Sequence, residues 1–178
     1  PAGVAAEWSG DTITISGKTE VTIESLRLQP ITQMTTGSVI YAANYHNLIL
    51  RDFRIDQRAY TCILLDGGAA QFICRIDNFV LGNCTGNAIE IGRTLVVQDT
   101  FITNGVIATC GVDGIVAVFA SGLYISDVDV IGCTGAGLTT YPGAAQYVVA
   151  LLAVNTLLDT ATGVGIALHD NGGYVAEV

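Results

Sequence analysis

The sequence predicts an all-β chain, a single-stranded right-handed parallel β-helix of about six coils. Three observations point to it. A run of alternating apolar residues broken by one polar residue recurs every 20–30 positions, each copy is followed by a second short β-like run, and no segment sustains a 3.6-residue period.

The recurring unit reads VTIESLRL (21–28), LILRDFRI (48–55), CRIDNFVL (74–81), LVVQDTFI (95–102) and LYISDVDV (123–130), with a degraded copy near VVALLAVNT (148–156). Counting from the apolar residue two before the polar position gives Ile23, Leu50, Ile76, Val97, Ile125 and Leu151, spaced 27, 26, 21, 28 and 26 residues apart. The companion runs are GSVIYA (37–42), CILL (62–65), NAIEI (87–91), GIVAVF (114–119), GAGLTT (135–140) and GVGIAL (163–168), most of them entered through Gly. Two further echoes keep the phase: NCTGNAIEI (83–91) matches GCTGAGLTT (132–140), and GAAQ followed by an aromatic occurs at 68–72 and at 143–147.

Other repeat architectures fit poorly. Helical repeats need a helical period, leucine-rich repeats need LxxLxLxxN, and a propeller blade needs four strands in about 40–45 residues. Parallel coils stacked at about 4.8 Å remain, with the right-handed crossover that parallel strands prefer. Within each unit the alternation slips by one residue at the polar position, which turns a corner while keeping the apolar side chains inward. The expected corner column is Ser25, Asp52, Asn78, Asp99 and Asp127, residue types that tolerate turn conformations and bond their own backbone.

Composition bounds the rest. At 178 residues the chain suits one domain. It is 51% apolar with a mean hydropathy of +0.53, yet its longest pure apolar run, YVVALLAV (147–154), is strand-sized and far short of the ~20 residues of a membrane helix. The N-terminus lacks a basic and then apolar leader, so a secretory signal is absent or already removed, and the expectation is a product made in the host cytoplasm. Net charge is −9, and residues 94–178 carry seven acids and no Lys or Arg, which disfavours nucleic acid and anionic lipid as partners. The five cysteines have no zinc-type spacing. Cys62, Cys84, Cys110 and Cys133, at intervals of 22, 26 and 23, are expected as a reduced interior stack along one edge. No cofactor and no metal site is expected.

NLILRDFRID (47–56) is similar to the strand-corner-strand units of right-handed parallel β-helices of the bacteriophage tailspike and pectate-lyase type, and the resemblance spans about residues 20–170. It implies the fold and the parallel homotrimer of tailspikes. It transfers no catalytic residue, because no family motif is present. Residues 20–178 are assigned to the β-helix and 1–19 to an N-terminal cap or attachment segment.

Candidate chemistry is sparse. Asp127 with Asp129, and Asp99 one coil away, are the acids that would serve a glycoside hydrolase or lyase, although Asp at a corner is foremost a turn residue. Arg51, Arg54, Arg58 and Arg75 alternate with Asp56 and Asp77 on outward positions, as a ladder of surface ion pairs or a face for anionic sugars. Tyr60 and Tyr141 fall in inter-strand turns where they can stack on a glycan. Segments such as GIVAVF, YVVALLAV and GVGIAL are apolar on both faces, as strands buried on both sides are. The expectation is therefore a homo-oligomer, a trimer, with residues 95–170 at the contact. Function is expected as a non-enzymatic virion structural protein, a short spike, fibre or decoration protein that touches other virion proteins and host polysaccharide. A polysaccharide-degrading β-helix enzyme is the alternative.

Overall fold

A computed structural model of the chain describes residues 10–29, 32–56, 59–68, 73–160 and 162–176. It is a right-handed parallel β-helix of about six coils, with no helix among the described residues. One sheet has seven strands, β1 (Ile13–Ser16), β4 (Ser38–Ala43), β6 (Thr61–Asp66), β8 (Ile89–Ile91), β10 (Ile115–Ala117), β12 (Leu138–Thr140) and β15 (Ile166–Leu168), paired in that order. The other carries β2 (Thr19–Glu24), β5 (His46–Asp56), β7 (Cys74–Cys84), β9 (Val97–Cys110), β11 (Ala120–Ile131), β13 (Tyr147–Val154) and β16 (Tyr174–Ala176). At its ends β3 (Arg27–Leu28) pairs with β5 and β14 (Leu157–Asp159) with β11. All six companion runs of the sequence fall on the first sheet, as β4, β6, β8, β10, β12 and β15.

The second sheet wraps two sides of the coil because its strands bend at one residue each. Ser25, Asp52, Asn78, Asn104, Asp127 and Asn155 all hold a left-handed backbone, with φ between 46° and 56°. Asn and Asp reach this region more readily than other non-glycine residues. The bend interrupts β2/β3 and β13/β14 outright, whereas the central strands run through it.

Here the structure corrects one expectation. The corner of the fourth coil is Asn104, not Asp99, because Ile76 pairs with Ile102 rather than Val97. That register buries Ile102 and Ile107 in the lumen. Leu151 likewise stacks on Leu123, and the partner of Ile125 is Ala153. Asp99 occupies a second left-handed column with Glu20, Asn47, Gly122 and Ala150.

Ladder chemistry follows from stacking. Carboxylates on carboxylates would repel, and no two Asp are neighbours in the corner column: Asn78 Nδ2 donates to Asp52 at 2.6 Å and Asn155 Nδ2 to Asp127, while Asn104 Nδ2 donates to Asp77 beside the column at 2.8 Å. In the second column Asn47 Nδ2 donates to Glu20 at 2.7 Å.

The lumen is filled by like-on-like columns. Ile40, Ile63, Ile89, Ile115 and Leu138 form one, and Leu50, Ile76, Ile102 and Ile125 another, all buried. Phe53 and Phe79 stack with centroids 6.0 Å apart. The next rung is Gly105, where a Cβ would lie 2.2 Å from the Phe79 ring, so the glycine makes the space the phenyl fills.

Two further expectations change. Cys84, Cys110 and Cys133 do stack, but Ala59 holds the position below them and Cys62 begins the next side of the coil. Val116, the outward residue of GIVAVF, is buried within the single chain along with Leu64 and Glu90, so that segment needs no partner to cover it. At the start of the described chain β1 pairs with β4.

Candidate interaction face

Outward positions on the first leg of the second sheet form two adjacent columns whose chemistry changes along the solenoid. One runs Thr22, Ile49, Arg75, Phe101, Tyr124, Leu152; the other runs Glu24, Arg51, Asp77, Thr103, Ser126, Val154. The early coils are charged, the middle aromatic and hydroxylic, and the last aliphatic. Period-2 alternation places every one of these side chains outside.

The charged end is internally paired. Arg51 meets Glu24 at 2.6 Å. Around the corner Asp56 accepts from Arg27 Nε at 2.7 Å and from Arg54 Nε. Burial alone would push the Asp56 carboxyl up, but the hydrogen bonds from Arg54 and Arg27 outweigh it and hold it below the ordinary carboxylate value. Asp77 accepts from Thr103 Oγ1 at 2.6 Å and from Asn104, and those bonds hold its pKa down as well.

The middle is a stack. The Arg75 guanidinium lies 5.5 Å from the Phe101 centroid, and Phe101 stacks on Tyr124 at 5.0 Å with 12° between the planes. Phe101 is thus held between a cation and a ring, an arrangement worth about 0.5–1 kcal/mol per contact at an exposed site. The next rung beyond Tyr124 is aliphatic, Leu152.

The far end is uncovered. Leu152 and Val154 are 51% and 48% exposed; past the corner Leu157 is 52% exposed, and Ile131, the register partner of Asp159, is exposed as well. Beyond the corner, Asp127, Asp129, Asn155, Thr156 and Leu157 line a shallow open groove of about 630 Å³. Asp127 and Asp129 therefore share one surface. Asp99 does not join them; it stands on the second left-handed column, under Gly122.

The remaining candidates scatter. Arg51 and Arg75 share the first leg of the face, and Arg54 lies past the corner. Arg58 is outside the described residues. Tyr60 is partly exposed in the turn before β6, and Tyr141 stacks on His169 at 4.7 Å after β12. The sequence reading passed over Phe101, and its signal was present: one coil of 26 residues separates it from Arg75, with a single outward column joining them. Elsewhere the buried acids are held by backbone amides, by neutral side chains (Thr94 on Asp66, Asn87 on Glu90) or by a single cation. Asp66 accepts from the amides of Gly67, Thr94 and Leu95, Asp113 accepts from that of Ala136 at 2.6 Å, and Glu90 is forked by Arg93 at 2.7 and 2.8 Å. No cluster of three metal-ligating side chains occurs among the described residues.

Residues 38–178 match the family model described as the right handed beta helix region. No curated protein and no solved structure matches the chain.

Proposed function

The chain belongs to the right-handed β-helix family, and from that premise we propose that it is a non-enzymatic structural protein of a phage-like particle, a short homotrimeric spike, fibre or decoration protein on the virion surface. The observation that carries this reading is the aliphatic end of the outer face, where Leu152 and Val154 are open to water, as is Leu157 just past the corner. A contiguous apolar patch on a polar-rimmed surface marks a protein contact. Three parallel copies joined there would bury it and leave the charged early coils free to meet other virion proteins and host polysaccharide. Tyr60, Tyr141, Arg51, Arg54, Arg58 and Arg75 are the candidates for glycan contact. The shortness in sequence of most inter-strand loops favours contact over cleavage.

A second reading has one observation behind it. Asp127 and Asp129 line the same groove, as the two carboxylates of a glycoside hydrolase must. Incubation of the full chain with a panel of bacterial surface polysaccharides separates the two readings when both co-sedimentation and new reducing ends are measured. Retention without new chain ends is the result expected. Release of oligosaccharides that disappears in Asp127→Asn would overturn the structural reading in favour of the enzyme.

A further inference from the structure

Cys84, Cys110 and Cys133 stand at equivalent points on three successive coils. Cys84 and Cys110 are register partners at the ends of β7 and β9, and the Thr134 amide donates to the Cys110 carbonyl just as the Gly111 amide donates to that of Cys84. One coil earlier the same bond runs from Thr85 to Ala59, so a methyl group occupies the fourth place. The thiol of Cys62, three residues on, approaches Cys84 there. The result is a continuous chain of sulfur contacts: Cys62 with Cys84, Cys84 with Cys110, and Cys110 with Cys133.

Register partners on adjacent parallel strands lie about 4.8 Å apart, inside the range of about 4.4–6.8 Å that a disulfide spans between Cα atoms. We propose that this column is an oxidation site, at which a low-molecular-weight disulfide converts Cys84 and Cys110 into a disulfide joining neighbouring coils. Cys84 is the attacking group. It is 5% exposed, the most open of the four; its thiol donates to the Gly86 carbonyl at 3.4 Å, and the neighbouring Cys110 and Cys62 push its pKa down and favour the thiolate. The Cys84 thiolate attacks one sulfur of the reagent, breaking its S–S bond and releasing one small thiolate. Cys110 then gives its proton to the small thiolate already released, and its own thiolate attacks the Cys84 sulfur of the mixed disulfide as the second small thiolate leaves. The two protein protons end on the two released thiols, so two cysteines are oxidised and one reagent disulfide is reduced.

Cys74 is an internal control. It sits on a different column, stacked between Leu48 and Thr100 and hydrogen-bonded to Tyr45, and burial pushes its thiol up to about 12. The new bond closes a loop of one full coil, which restricts the unfolded chain.

The test is to incubate the native full chain with oxidised glutathione, alkylate under denaturing conditions, and map the peptides by mass spectrometry. The expected result is a Cys84–Cys110 linked peptide with Cys74 alkylated, and a rise in denaturant midpoint that a reducing agent reverses. The link should survive Cys133→Ala and vanish in Cys110→Ala. Alkylation of all five cysteines in the treated native chain, a lasting glutathione adduct, or any linkage other than Cys84–Cys110 would overturn the proposal. Because the decisive map is made on the unsubstituted chain, it holds even if a variant fails to fold.

Discussion

Asn104 shows how much depends on one side chain. Its backbone is left-handed, with φ of 51°, and its amide donates to Asp77. A β-branched residue there would be strained and would lose the bond, so Asn104→Val is expected to cost about 2–3 kcal/mol and Asn104→Gly distinctly less, as read from denaturant unfolding. Gly105 beside it accommodates the Phe79 ring, and Gly105→Ala is expected to cost about 1–3 kcal/mol by overpacking. The carboxylates set the response to acid. Asp77, bonded by Thr103 and Asn104, and Asp56, bonded by Arg54 and Arg27 against its burial, both titrate lower in the folded chain than in the unfolded one. A depressed folded pKa contributes stability that is complete above the unfolded value of about 3.9 and is lost as pH falls through the folded value. Denaturant midpoints are therefore expected to hold steady above about pH 5 and to fall below about pH 4, with a shallower fall in Asp77→Asn. Ser25, Asp52, Asn78 and Asp127 were legible as corner residues because each interrupts an apolar alternation. Asn104 was not, and Asp99 was read in its place, because β9 contains two such interruptions, QDT and TNG, and only long-range register decides between them.

At the scale of the element, the companion runs were legible because each is a short apolar stretch and most are entered through Gly, and all six became strands of the first sheet. What the pattern could not supply was which outward residues find cover within the chain. Val116 and Leu152 look alike in sequence, yet the first is buried and the second half exposed, since cover depends on packing around the coil. The cysteine intervals misled for a related reason: spacing suggested four equivalent thiols, whereas Ala59 takes one of the places. The strands depend on their lumen columns. Phe79→Ala removes a ring held between Phe53 and Gly105 and is expected to lower stability by about 3–5 kcal/mol, measured by denaturant unfolding.

For the whole molecule, the outer face grades from ion pairs at Glu24 and Arg51 through the Arg75, Phe101 and Tyr124 stack to Leu152 and Val154. The last coil adds Ile166 and Leu168, lumen-column residues that are 50% and 46% exposed. Apolar surface is thus concentrated at one end of the solenoid, and the proposed trimer uses the part of it that faces sideways. Leu152→Glu combined with Leu157→Glu places charge on that patch without touching the lumen. It is expected to dissociate the assembly while leaving the β-sheet circular dichroism unchanged. The most direct measurement is the solution mass of the unsubstituted chain by light scattering at micromolar concentration. The proposed assembly predicts three times the 18.5 kDa chain mass; a monodisperse species of 18.5 kDa would contradict it.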